Sequence, residues 1–316
     1  MTFKNILVVY NPKSGRFTPK KLLFIQDFLK KNGVSFTALN SLQDNIDKTT
    51  TAPFDAVFVV GGDGTLNNII NRLAFTDIPI AHIPMGTVNL FALENKTPFF
   101  LKKALGTILD TYKPVKTNIG KINGRFFLSM AGIGFDAFVV KNVEEETNRK
   151  NLSNQAVNNH VKYLGYIKKI INASKNYEFP EIYLTVEDEG SNSFDFKEPL
   201  NANQIIVANL KYYGGPFKLF PESSCLNDNF SIRILNNLKQ RKDIISSIIK
   251  FIIFKNGYKT DPKHYFKAKK ISICAVDPDR NRNIYYQCDG EFAGSLPAHI
   301  EKVESAVTLL ASPNLR

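Results

Sequence analysis

The chain has 316 residues, enough for two domains and at least one sizeable core. Its 43% hydrophobic and 22% charged content is that of an ordinary globular protein, and no apolar run approaches the roughly 18 residues of a membrane-spanning helix. Lys and Arg outnumber Asp and Glu by 41 to 29, which favours anionic partners, but no continuous Lys/Arg tail marks a nucleic-acid arm.

The first stretch, "MTFKNILVVYNPKSG", lacks the shape of a signal peptide, so a cytoplasmic location is expected. "NILVVY" reads as a strand running into the turn-prone "NPKSG". "PKKLLFIQDFLKKNG" has apolar residues at helical spacing between Pro19 and Gly33. "VSFTALN" and "FDAVFVV" are the second and third strands, "LNNIINRLAF" is a short helix, and "IPIAHIP" is a fourth strand. Apolar strands alternating with helices predict a parallel sheet in an α/β domain.

Near Pro114 the texture changes. "VKTNIGKINGRFFLSMAGIG" predicts a hairpin turning at Asn123 and Gly124. "EIYLTVEDEG", "NQIIVANL", "NFSIRIL", "KKISICAV" and "NIYYQCDGEFAG" follow as strands with few helices between them, so an antiparallel β-sandwich domain is expected. The polar run 144–160 reads as a connection. The apolar helix within 242–259 reads either as a packing helix or as a greasy surface with lysines facing anionic headgroups. Cys225, Cys274 and Cys288 fit neither a disulfide framework nor a zinc pattern, and the four histidines show no metal spacing.

Chemistry concentrates in the loops after the strands. In "GGDGT" the glycines let backbone N–H groups approach a ligand, and a helix starting near Thr65 would aim its positive end at the same point. Asp63 would repel phosphate unless a cation lay between them, which suggests Mg²⁺-bridged nucleotide binding; a plain turn with a capping aspartate is the alternative. "NPKSG" (11–15) and "PMGTVN" (84–89) follow the first and fourth strands. Loops after parallel strands gather at one edge of the sheet, where ligands bind. Walker, dinucleotide-fold and protein-kinase signatures are missing.

Together "NPKSG", "VVGGDGTLNNIINRL", "PMGTVNLFA", "GIGFDA" and "DGEFAG" resemble the diacylglycerol kinase catalytic-domain family over essentially the whole chain. The resemblance implies an α/β nucleotide-binding domain over 1–114, a β-sandwich lipid-substrate domain over 115–302, and a last segment, about 303–316, that returns to the first domain. It implies a kinase that uses ATP and Mg²⁺ to phosphorylate a hydroxyl of diacylglycerol or a sphingoid-like lipid. By the same resemblance Asn11, Lys13, Ser14 and Gly15 line the nucleotide. Gly61, Gly62, Asp63, Gly64 and Thr65 wrap the phosphates with Gly86, Thr87 and Asn89. Asp289 and Glu291 reach in from the second domain. One takes the hydroxyl proton while the other joins Asp63 on Mg²⁺; for the metal, Asp63 and Glu291 are the pair named. A lipid substrate and a peripheral position at the membrane are implied, a homodimer is compatible, and nucleic acid is not a partner.

Two departures imply a retuned site. Leu90 follows Asn89 where many members have Asp. Asn118 stands where many have an Asp paired with a lysine, here Lys168; Asn can hydrogen-bond to a lysine but cannot neutralise it. The family's structural Mg²⁺ near "LDDG" corresponds to "LNDNF" (226–230), where Asp228 alone remains of the acid pair. "KYYGGPFKLFP" (211–221) matches a lipid-side stretch, or is a glycine turn with surface tyrosines. The rival readings are an NAD kinase-like small-molecule kinase and a non-catalytic nucleotide- or lipid-binding homologue.

Overall fold

The computed structural model describes residues 3–150, 177, 180–187, 202, 204–235, 264–276 and 284–315. β1 (Asn5–Tyr10), β2 (Ser35–Asn40), β3 (Ala56–Gly61) and β4 (Ile80–Pro84) pair in the order β2-β1-β3-β4, all parallel. β3 and β4 are buried along their whole length, because helices cover both faces of a parallel sheet. α1 (Pro19–Lys31) is capped by the Thr18 side chain and stops before Gly33, whose φ of 72° suits glycine. With α5 (Leu101–Asp110) it sets Ile25, Leu29, Leu105 and Ile108 against one face of the sheet. α3 (Asp63–Leu73) sets Leu66, Ile69 and Leu73 against the other. α2 (Lys48–Thr51) and α4 (Leu90–Glu94) are single turns.

β5 (Lys113–Ile122) and β6 (Arg125–Phe127) form the expected hairpin, with Asn123 and Gly124 at φ 44° and 91° as a type I′ turn requires. β7 (Met130–Gly134), β9 (Gln204–Ala208), β12 (Phe230–Leu235), β13 (Tyr265–Ala268), β15 (Tyr285–Cys288) and β16 (Glu291–Ser295) make a six-stranded antiparallel sheet. It faces a layer of β5, β6, β8 (Ile182–Val186), β14 (Lys270–Ala275) and β17 (Ala298–Ala311). Ile133, Val207, Ile232 and Tyr286 from the first layer meet Phe127, Leu184, Ile271 and Ile300 from the second in one apolar core. β10 (Tyr212–Tyr213) and β11 (Phe217–Lys218) form a separate short hairpin.

The second layer continues the parallel sheet. β17 pairs with β14 over Ala298–Glu301 and with β5 over Ile300–Val303 and, past a bulge, Val307–Ala311, and Leu309 lies beside Ile80 of β4. One fourteen-residue strand thus runs through both halves and packs "AVTLLA" on the first.

Two sequence expectations change. α6 (Phe135–Lys150) carries residues 144–150 as helix, not as a connection, because its face packs on the sandwich and Glu144 Oε1 accepts the Phe292 N–H at 2.9 Å. α4 and α5 occupy a stretch for which no element was predicted. Residues 151–160, Lys168 and the apolar run 242–259 lie outside the described residues. Cys225, Cys274 and Cys288 are free thiols, and Cys274 alone is exposed.

Candidate active site

The three loops after β1, β3 and β4 interlock. Asn11 Oδ1 accepts the Lys13 N–H at 2.9 Å, which folds the first loop on itself, and Asn11 Nδ2 donates to Thr65 Oγ1 at 2.9 Å. The Arg16 N–H donates to the Met85 carbonyl at 2.8 Å, tying the first loop to the third. Met85 N–H and His82 Nε2 both meet the Gly61 carbonyl, at 2.8 and 3.0 Å. In the third loop Asn89, in the left-handed region at φ 60°, clamps Gly86: its Oδ1 accepts the Gly86 N–H at 2.8 Å and its Nδ2 donates to the Gly86 carbonyl at 3.0 Å. A Cβ on Gly86 would come within 2.6 Å of Gly62 Cα, so the second and third loops touch backbone to backbone. Lys13, Gly15 and Thr87 are exposed and Ser14 is half-buried, all at this edge.

The helix after the glycines begins at Asp63, two residues earlier than expected, with Gly62 as its N-cap. Asp63 and Gly64 therefore belong to the first helical turn, where α3's positive end lies. Asp63 Oδ1 is buried and has no hydrogen-bond partner among the described residues. Burial pushes this carboxyl up to about 7, the charge of Asp289 adds to the rise, and the N–H groups of Leu90, Phe91 and Asn89 oppose it. A buried carboxylate oxygen without a partner, beside a second carboxylate, is the donor set that a divalent cation satisfies, so these residues fit Mg²⁺. No three described His, Cys, Asp or Glu side chains converge on one point, so such an ion would complete its shell with water and phosphate oxygens.

Asp289 and Gly290 form the turn between β15 and β16, at φ 51° and 85°. Asp289 buries its carboxyl group in this turn. Its carboxylate accepts three backbone N–H groups, from Leu128 at 2.7 Å, Ser129 at 2.7 Å and Met130 at 2.9 Å. Burial pushes it up to about 6 against the pull of those bonds. Glu291 is exposed and pairs with Arg125 Nη2 at 2.6 Å. A Cβ on Gly64 would lie 2.5 Å from Glu291 Oε1, so glycine at position 64 leaves the room into which the acid of the second domain projects. Across the two halves Asp63 thus lies within electrostatic reach of Asp289, and Glu291 lies against Gly64, the residue after Asp63.

Asn118 ties three segments together. Its Oδ1 accepts the Ser305 N–H at 2.8 Å and its Nδ2 donates to the Asn227 carbonyl at 3.1 Å, pinning β17 and the 224–229 loop to β5. Beside that loop the buried Lys302 donates to the Ser224 and Asn229 carbonyls at 3.3 and 3.2 Å, over the Phe230 ring. Burial draws Lys302 down to about 8, with Cys225 and Asp228 opposing. The ammonium occupies the polar space at "LNDNF", so these residues do not fit a structural metal.

Four contacts were not foreseen. Arg125 holds Glu291, and the fully buried Glu94 side chain holds Lys211. Asp136 accepts from Gln287 Nε2 at 2.9 Å, and Gln287 Oε1 accepts the Gly290 N–H at 2.8 Å. "GIGFDA" flagged Asp136, but its partners lie about 80 and 150 residues away along the chain.

Two family models match the chain in succession. Residues 5–121 match the family model described as the diacylglycerol kinase catalytic domain, and residues 130–311 match the YegS C-terminal NAD kinase beta sandwich-like domain. A diacylglycerol kinase of Staphylococcus saprophyticus subsp. saprophyticus is 26% identical, covering 98% of this chain and 96% of its own. One from Staphylococcus aureus (strain bovine RF122 / ET3-1) is 28% identical, covering 98% and 93%. A crystal structure of a diacylglycerol kinase from Bacillus anthracis str. Sterne superposes with a TM-score of 0.71 at 22% identity, with 100% of both chains covered. At that identity the likeness speaks to the fold, an α/β sheet of mostly parallel strands followed by antiparallel β structure.

Proposed function

This chain belongs to the diacylglycerol kinase catalytic-domain family, and from that premise we propose that it transfers a phosphoryl group from ATP, with Mg²⁺, to a hydroxyl of diacylglycerol or a sphingoid-like lipid. The observation that carries the reading is the meeting of Asp63, with its unpartnered buried oxygen, Asp289, and Glu291 over Gly64 at one edge of the sheet.

Phosphoryl transfer depends on positioning and on screening negative charge. Asn11, Lys13, Ser14 and Gly15 form one wall for the nucleotide. Gly61, Gly62, Gly64, Thr65, Gly86, Thr87 and Asn89 form the other. Asp63 and Asp289 would hold Mg²⁺, whose charge would screen the phosphate oxygens. The charge of Asp289 acts on Asp63, so these two carboxylates are near neighbours. Asp289 is immobilised by three N–H bonds, whereas Glu291 is exposed at the mouth of the site and takes the proton of the lipid hydroxyl.

No helix among the described residues is long and apolar enough to cross a membrane. The protein reaches its substrate from the cytoplasmic side of a bilayer, and the exposed Phe99 and Phe100, with Arg16 over the Phe99 ring, suit that surface.

The test is transfer of label from ATP to a panel of diacylglycerol, sphingoid bases and NAD, with and without Mg²⁺. Labelled lipid that depends on Mg²⁺ supports the proposal. Label on NAD and on no lipid would replace it with a small-molecule kinase, and ATP binding without turnover on any acceptor would make the chain a non-catalytic homologue.

A further inference from the structure

The β10–β11 hairpin has two residues in each strand, and a hairpin of that size is marginal in water, so something else fixes its place. Tyr213 packs on the Ile206, Ala208, Leu219 and Phe220 cluster, and two part-buried polar contacts tie the hairpin to both sides. On one side Lys211 Nζ donates to Glu94 Oε1 at 2.6 Å and the Lys211 N–H to Glu94 Oε2 at 3.2 Å. Glu94 closes α4, whose opening residues Asn89, Leu90 and Phe91 turn their N–H groups to Asp63. Five helical residues rise only about 7 Å, so the hairpin and the Asp63 carboxylate share one short rigid link.

On the other side the Tyr213 hydroxyl accepts from Gln204 Nε2 at 3.0 Å and bonds to Asp136. Asp136 accepts from Gln287, and Gln287 accepts from Gly290 in the Asp289–Gly290 turn. A continuous run of polar contacts therefore joins the turn that carries the second-domain acids to Tyr213. Two residues along the chain, Lys211 begins the run that ends at Asp63.

We propose that this hairpin is the strap that holds the two acid-bearing halves of the site in register, with Glu94, Lys211 and Tyr213 as positioning residues. Its kinetic consequence rests on the kinase reading; its structural consequence does not. Phosphoryl transfer needs the acceptor oxygen and the phosphate aligned to a fraction of an ångström, so a strap between the halves bears on turnover more than on ATP affinity.

The experiment compares the full-length, nucleotide-free chain with Tyr213→Phe and Glu94→Gln by hydrogen exchange. Tyr213→Phe removes one hydroxyl and keeps the ring, so it serves should Glu94→Gln fail to fold. In Tyr213→Phe, exchange is expected to rise by about threefold or more both at 287–292 and across the strap at 86–95. A rise confined to residues 204–218, or none, would overturn the proposal. In the lipid-phosphorylation assay kcat is expected to fall by about tenfold with KM for ATP nearly unchanged, and the double variant to be no worse than the poorer single one. Unchanged kcat in Tyr213→Phe would also overturn it. A wild-type chain that phosphorylates no lipid would defeat the kinase reading alone, and the exchange result would still decide the strap.

Discussion

Replacing Asp63 by Asn should stabilise the nucleotide-free protein while abolishing turnover. Burial and Asp289 carry the Asp63 carboxyl from 3.8 to about 7. Below about pH 4 the folded and unfolded chains hold the same proton there. Between about pH 4 and 7 the folded state holds more, so stability falls as pH rises, and above pH 7 the loss is complete. At 1.36 kcal/mol for each tenfold change, a rise of about three pH values makes the charged form cost about 4 kcal/mol. This is an upper figure, since Asn keeps the buried oxygen without a partner. The assay is thermal and urea melting of wild type and Asp63→Asn without nucleotide or metal, from pH 4.5 to 8. The gap should be smallest at pH 4.5, within about 1 kcal/mol of its acid value, and reach about 2–4 kcal/mol at pH 8, about 3–6 °C for a chain of this size. Adding Mg²⁺ should raise the wild type alone. An Asn variant no more stable than wild type at pH 8 would refute the reasoning.

Gly86→Ala should press a methyl against Gly62 Cα, parting the second and third loops at about 1–3 kcal/mol and weakening ATP binding by about tenfold or more, measured by calorimetry. Glu291→Gln should lower kcat by about 10²–10⁴ with an unchanged melting temperature, because the side chain is exposed. Lys302→Met should remove a pH dependence. The buried ammonium, drawn down to about 8, lets wild-type stability rise between about pH 8 and 10, where the unfolded chain holds more protons, and the variant should show no such rise in melts.

The parallel strands, the Asn123–Gly124 hairpin and the three ligand loops were legible because each is a local pattern: apolar runs ended by glycine, or "NG" between strands. The sandwich strands were legible for the same reason. The return of the last segment came only from the family resemblance, since β17 pairs with β4, β5 and β14, and no spacing along the chain announces partners so far apart. α5 was legible after the fact, with Leu101, Ala104, Leu105 and Ile108 at helical spacing, while α4, at five residues, is too short for periodicity. At the site, residue types and loop edges could be read, but not the state of each acid. Asp289 was read as an acid of the site, but the three N–H groups from 128–130 that fix its carboxylate lie about 160 residues away along the chain. Asn118 pins β17 and the 224–229 loop, a role no local pattern announced; its proposed lysine partner, Lys168, lies outside the described residues.

The central claim is that Asp63 and the "DGE" turn act together on one phosphoryl group. The most direct measurement is transfer of labelled phosphate from ATP to lipid by wild type, Asp63→Ala and Asp289→Asn, each first shown to be folded. The account predicts labelled lipid from wild type and a loss of at least about a hundredfold in both variants. Lipid phosphorylation at the wild-type rate by either variant would contradict it.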